Sequence, residues 1–545
     1  MKKVVLVPLA VILATISALG LAACGGSSNS SGKEGGTLTG TYASFPDYLD
    51  PQLSYLQEGW TAMFDTYLPL LTYKRVNGVE GSKVVPGLAE SLPKISNDGK
   101  TYTLTLRKGL KYSDGTPVKA SDFASTVERL FKISSPGSFY YEGIVGAEKF
   151  AKTKKGGISG IKTDDKTGKI EIELTAPHGS FTNELAMLFV ALLPADTPAK
   201  NLTADPPPAT GPYAISKVEK GRGWSYERNP YWAKANGPQV SEVPDGHFNK
   251  IDIRVVRNDA TQVNEIERNK TMWMQPPVPA DQREAIVNKY EGTQFRLEHA
   301  LNIYMFWMNT EKAPFDDQKV REAVNYAVDT DALERIYAGS LAAAHQILPE
   351  GMPGYKALNL YPHNLTKAKE LLAEANPSDR DITVWTDNES PNDEAGAYYQ
   401  DVLDKLGFNA KLKTINADNY YTIIGNENTP DLDTGWLAYF ADYPNPNAFF
   451  QPLLSGESIA PSGNTNFARI DVPELNKKIS QLSEEPLGSE QESEYAELDH
   501  SYMELAPVVP YGTNTLSTFV DDQINLDSVV YNPAFGQSLA SFELK

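Results

Sequence analysis

Residues 85–115 read VPGLAESLPKISNDGKTYTLTLRKGLKYSDG. In the middle of this run Tyr102, Leu104 and Leu106 alternate with Thr101, Thr103 and Thr105, the period of a strand with one buried face. Asn97-Asp98-Gly99, just before it, is a turn signal. Immediately downstream, Phe123, Val127, Leu130 and Phe131 share one face of a helix, with Ser121 placed to cap it. A half-buried strand leading into an amphipathic helix predicts a mixed α/β fold.

The same alternation recurs at Ile170, Ile172 and Leu174, after the turn-like Lys166-Thr167-Gly168, and at Ile251, Ile253 and Val255. Helical stripes follow at Val320, Ala323, Val324, Ala327 and Val328, behind Asp316 and Asp317. A further stripe is Ala368, Leu371, Leu372 and Ala375, entered through Thr366. These are read as core faces. Pro206-Pro207-Pro208 and Pro276-Pro277 are read as lobe boundaries or crossings.

The chain has 545 residues, 22% charged and 41% hydrophobic, which excludes a disordered, collagen-like or polytopic membrane protein. One core is not expected at this length, so two or three lobes are predicted. Against 70 acidic residues stand 50 basic ones, a charge of −20 that argues against nucleic acid as a partner. One Cys excludes an intrachain disulfide framework and a Cys-based zinc site.

That Cys closes the segment MKKVVLVPLAVILATISALGLAAC. Two lysines, an uncharged run from Val4 to Ala23 and a small-residue ending are the layout of a secretory signal. Leu21-Ala22-Ala23-Cys24-Gly25 resembles a bacterial lipobox, which implies removal of residues 1–23 and a lipid on Cys24. Loss of Lys2 and Lys3 takes the charge to −22. Residues 24–36, the Cys and then GGSSNSSGKEGG, have the composition of a flexible linker. The expected address is therefore extracytoplasmic, tethered to the outer face of the bacterial cell membrane.

Signatures of catalysis are sparse. The position five residues before Gly99-Lys100-Thr101, where a P-loop needs Gly, is Lys94. There is no G-x-S-x-G elbow and no H-E-x-x-H helix. The six His are scattered without metal-type spacing, so no metal and no cofactor is expected. Two distant carboxylates of a glycosidase would be invisible in sequence.

Six ordered blocks resemble the peptide-binding family of ABC-importer solute-binding proteins, the oligopeptide and dipeptide receptors. They are Leu49-Asp50-Pro51 with Tyr67 to Tyr73; Val85 to Gly115 running into Thr116 to Phe123; Thr210-Gly211-Pro212-Tyr213 with Arg228 to Trp232; Ala313 to Asp317 with Val320 to Asp329; Ala441 to Pro446; and Leu505 to Pro510. One departure is Arg268-Asn269-Lys270-Thr271-Met272-Trp273, where relatives often carry Gly-Glu-x-Asp.

The resemblance implies a periplasmic-binding-protein-like α/β fold of two lobes joined by a hinge, with an extra domain packed on the first lobe. Lobe I is expected from 37–80, 205–300 and 510–545, the extra domain from 81–204 and lobe II from 301–509. It also implies a monomer that is not an enzyme, an oligopeptide ligand, and the permease and ATPase subunits of an importer as partners. Two lobes shutting on a ligand give the closed form that such a permease reads.

Asp442, in the Ala-Asp-Tyr block, is where peptide receptors of the family bind the ligand's α-ammonium; the alternative is an Asp holding the turn before Pro444 and Pro446. Trp436, Tyr439 and Phe440 lead into that block and are candidate pocket walls, or else core. Phe45, Tyr140 and Tyr141 match segments that touch peptide in relatives, and Trp273, Met274 and Gln275 are hinge-side candidates on the first lobe. No cation is singled out for the peptide carboxylate among Arg380, Lys405, Lys411 and Lys413. Three alternatives stay open: the same fold holding an oligosaccharide, nickel chelate, opine or antibiotic; a surface-anchored hydrolase; and a sensory rather than nutritional role.

Overall fold

The computed structural model describes residues 35–232 and 240–545, so the signal segment and Cys24 lie outside the described residues. Strand Thr101–Thr105 forms as its alternation predicts, with Tyr102 and Leu104 buried. The turn before it places Asn97, Asp98 and Gly99 in succession at positive φ. It is the second strand of a four-stranded antiparallel sheet in the order Lys94–Ser96, Thr101–Thr105, Lys169–Glu173, Ile161–Asp164. Ile170 and Ile172 continue its buried face, and helix Ala120–Lys132 belongs to the same core through Phe123, Val127 and Leu130. This sheet and helix make the body of the extra domain.

Helix entries depart from the sequence reading in an informative way. Ser121 lies inside its helix, whose first residue is Ala120 after Lys119; Asp122 accepts from the Lys119 N–H at 2.8 Å. The Ser121 hydroxyl is drawn instead to Asp165, 2.9 Å away. Likewise Asn364, not Thr366, caps helix Leu365–Ala375, accepting from the Lys367 N–H at 3.0 Å. Asp317 does cap helix Gln318–Ala327, through the Lys319 N–H at 2.8 Å.

A large sheet runs through both lobes. In the first lobe Thr37–Tyr42 lies between Lys250–Val255 and Trp273–Met274, parallel to both, and Gly223–Arg228 and Tyr213–Glu219 extend the edge antiparallel. In the second lobe Asp381–Asp387 pairs in parallel with Asn409–Ile415 and Thr434–Phe440, and Asn302–Met308 adds antiparallel to the latter. Each body has its own core, with Trp273 in the first and Trp307 and Trp385 in the second.

One strand, Val508–Val520, joins the two halves. Its first part pairs with Asn302–Met308 and its last part with Phe295–His299 and Trp273–Met274. The chain therefore passes between lobes at 299–302 and at 512–515, side by side, and Asn302 Oδ1 accepts from the Asn514 N–H at 2.9 Å across the two passages. Pro276-Pro277 is not a crossing: it follows Trp273–Met274 within the first lobe and leads into helix Ala280–Tyr290. No helix among the described residues is long and apolar enough to cross a membrane.

Candidate functional site

Strand Thr434–Phe440 delivers the Ala441-Asp442-Tyr443 block to the edge of the second lobe. The Ala441 N–H is fixed by the Leu301 carbonyl at 2.8 Å, beside the first passage between lobes. The tight run that follows is held by Asn445, whose side chain accepts from the Asn447 N–H at 3.0 Å as helix Asn447–Leu454 begins. Among the described residues the hydrogen bonds of the Asp442 side chain go to Tyr55 and Tyr140, outside this run.

Its carboxylate faces the other half of the molecule. Tyr55, ahead of helix Gln57–Met63 in the first lobe, donates its hydroxyl to Asp442 Oδ1 at 3.0 Å. Tyr140, in the extra domain, has its hydroxyl 3.1 Å from that of Tyr55 and also hydrogen bonds to Asp442. Burial pushes the Asp442 carboxyl above its ordinary value, and the Tyr140 and Tyr55 hydroxyls pull it part of the way back. Burial and the neighbouring Asp442 charge push both tyrosines upward, so they remain neutral donors. Among the described residues no Lys, Arg or His forms an ion pair with Asp442. A half-buried carboxylate served only by hydroxyls is short of the positive charge that would repay its desolvation.

Asp442 opens onto a cavity of about 400 Å³ between the extra domain and the second lobe. Tyr439, Tyr443, Tyr140, Phe139 and Phe181 face it, and His178 and Glu184 stand on its extra-domain side. A second cavity, about 170 Å³, lies on the first lobe past the carboxyl ends of Thr37–Tyr42 and Trp273–Met274, where open α/β sheets place ligands. Ser44, Glu58, Gln275, Ser517 and Gln537 line it beside the apolar Ala43, Pro276, Pro277 and Leu516.

The candidates read from sequence therefore separate. Asp442, Tyr439 and Tyr140 meet at the first cavity, and Gln275 lines the second, with its backbone N–H bound to the Thr41 carbonyl at 2.8 Å. Phe440 points to the opposite face of its strand from Tyr439, 54% exposed and edge-on to Tyr304. Phe45 is half-buried with its ring edge on Trp224. Four others lie in the core instead of on a cavity wall. Trp436 is buried, with its indole N–H donated to the Tyr337 hydroxyl at 3.1 Å. Tyr141 is buried and donates to the Glu184 carbonyl at 2.7 Å. Trp273 is wedged edge-on against Tyr42 and Phe542, and Met274 packs with Phe295 and Phe519.

Tyr55, Phe139, His178 and Glu184 were not legible as site residues. Tyr55 and Asp442 are 387 positions apart, and no local pattern links them. Three of the four candidate cations for a peptide carboxylate are engaged elsewhere, Lys405 with Asp401 at 2.5 Å, Lys413 over the Trp385 ring and Arg380 over the Phe408 ring, and Lys411 lines neither cavity. Among the described residues, no Lys or Arg lines either cavity.

Comparison with known proteins agrees with this architecture. Residues 83–460 match the family model described as bacterial extracellular solute-binding proteins, family 5 Middle. A probable D,D-dipeptide-binding periplasmic protein, DdpA, of Escherichia coli K12 is 26% identical over 437 residues, 78% of this chain and 78% of its own. Heme-binding protein A of Haemophilus influenzae is 28% identical over 443 residues, covering 76% of this chain and 75% of its own. Among solved structures, clavulanic acid biosynthesis oligopeptide binding protein 2 superposes with a TM-score of 0.81 at 24% identity, over 94% of this chain and 96% of that one.

Proposed function

The chain belongs to the family 5 bacterial extracellular solute-binding proteins, and we propose that it captures peptides between its two lobes and delivers them to the permease of an ABC importer. The observation that carries this reading is Asp442: a carboxylate at the meeting point of the lobes, bound by two neutral hydroxyls and, among the described residues, by no cation. A peptide's α-ammonium supplies the missing charge. Hydrogen bonds to a charged partner contribute about 1.5–3 kcal/mol each, enough to fix one end of a ligand whose side chains vary. The cavity on the first lobe offers, through Gln275 and Gln537, donors and acceptors of the kind a peptide backbone needs.

Peptide-binding proteins among the relatives support this cargo; a heme-binding relative of similar coverage shows that the family also serves other ligands. Capture without cleavage is the reading we favour. The Ser180, His178 and Glu184 grouping beside the cavity is unsuited to a hydrolytic triad, because Ser180 Oγ at 3.2 Å and Glu184 Oε1 at 2.6 Å both contact the same ring nitrogen, Nε2. The lipobox-like ending at Cys24 supports a lipid-anchored receptor outside the cytoplasmic membrane. Mass spectrometry of material released by denaturing the purified protein tests the cargo. Peptides with free amino termini are expected; an oligosaccharide or a metal chelate in their place contradicts the proposal.

A further inference from the structure

If the α-ammonium rests on Asp442, as proposed above, the first Cα of the ligand is one bond away. Its side chain must then leave towards the space that Asp442 itself lines. That space is the cavity of about 400 Å³, and its walls are unusually rich in rings. Tyr439 and Tyr443 flank Asp442 from the second lobe; Tyr140, Phe139 and Phe181 close the extra-domain side. Tyr140 is edge-on to Tyr443, with ring centroids 6.1 Å apart across the boundary between the two bodies.

Phe139 stands at the rim, 53% exposed, with its centroid 3.9 Å from that of Tyr140. Tyr140 covers one face of this ring and leaves the rest of it open. An aromatic guest would cover it and meet the surrounding rings edge-on or offset, the arrangements that rings favour. The charged groups of the wall bear on the same choice. Glu184, with its side chain 3% exposed, binds His178 through Oε1, and its Oε2 has no hydrogen-bond partner. Among the described residues the wall carries no Lys or Arg, and the Nε2 of His178 is already held by Glu184 at 2.6 Å, so a carboxylate brought by the ligand would lose its water without gaining a free cationic partner.

We propose that this cavity is a specificity compartment that takes an aromatic first side chain of the peptide and turns away an acidic one. Phe139, Tyr140 and Tyr439 would be its selecting residues, and its neighbour Asp442 would fix the register.

Calorimetric titration of the full chain with Phe-Ala-Ala, Ala-Ala-Ala, Ala-Phe-Ala and Glu-Ala-Ala tests this. Phe-Ala-Ala is expected to bind on the order of tenfold tighter than Ala-Ala-Ala, with Ala-Phe-Ala showing no such gain and Glu-Ala-Ala the weakest. In Phe139→Ala the advantage of Phe-Ala-Ala is expected to shrink below about threefold. Binding of all four peptides within about threefold of one another, or an equal gain from Phe in the second position, overturns the compartment while leaving capture by Asp442 standing. Binding of none of the four overturns both. The wild-type comparison alone decides the point should Phe139→Ala fail to fold.

Discussion

Asp442 is costly in the empty protein and useful in the filled one. Burial raises its carboxyl above the ordinary value, so the folded state takes up the proton more readily than the unfolded chain. The stabilisation this gives is present below the unfolded value and is lost as pH rises through the folded one. Above that point the cleft holds an unpaired charge. An ammonium reverses the balance, because it favours the ionised form. Peptide affinity is therefore expected to be level near about pH 7 and to fall as pH drops through the raised carboxyl value, with a proton released on binding in that range. Calorimetry in buffers of different ionisation enthalpy reads that proton. Asp442→Asn keeps the shape and removes the charge. It is expected to weaken an unmodified tripeptide about 10- to 100-fold while leaving the melting temperature of the empty protein within about 2 °C. A larger loss on melting would return Asp442 to a structural role. The Ala-Asp-Tyr block makes this residue conspicuous in the sequence. The hydroxyls that serve it are not conspicuous, because Tyr55 and Tyr140 reach it only through the fold.

At the scale of elements, the extra domain grips the second lobe through the segment after its last strand. The Gly179 N–H donates to the Ser483 carbonyl at 2.7 Å, and a Cβ at Gly179 would lie 1.9 Å from the Glu485 carbonyl oxygen. Tyr443 donates to Ser180 Oγ at 3.3 Å, and Asn445 to Asn183 Oδ1 at 3.4 Å. Tyr443 and Ala448 of the second lobe even join the hydrophobic core of the extra domain. Gly179→Ala forces this strap apart beside His178, on the wall of the first cavity, while leaving the side chains that line both cavities unaltered in identity. Peptide dissociation is expected to speed up by about tenfold or more, with the melting temperature nearly unchanged, in a stopped-flow displacement experiment. Unchanged dissociation would mean that the strap carries no closing energy. The strands at Thr101–Thr105 and Lys250–Val255 and the helix at Gln318–Ala327 were readable because their periods are imposed by one buried face. Trp273 and Trp436, both buried, could not be assigned from sequence for the same reason: an aromatic residue in a strand has the same pattern whether it fills a core or walls a pocket.

On the scale of the whole molecule, the two chain passages lie beside each other at 299–302 and 512–515, so bending there moves one lobe against the other once the strap at Gly179 and Tyr443 releases. Closure then brings Tyr55 and Tyr140 from one side to Asp442 on the other, and the ligand's gain is the contact it makes with both at once. The body is expected to work at a membrane surface. Replacing Cys24 by Ser should leave peptide affinity unchanged and shift the protein from the membrane fraction to the medium or periplasm; retention in the membrane fraction would argue for another anchor. The two-lobe plan was legible from six ordered blocks, whereas the partition of candidate residues between core and cavity was not, because it depends on which strand face meets the opposite lobe. The most direct measurement is the affinity of one tripeptide against its N-acetylated form. Loss of at least about tenfold on acetylation is expected, since the ammonium is the charge that Asp442 lacks. Equal affinity for the two would contradict capture through the peptide's amino terminus.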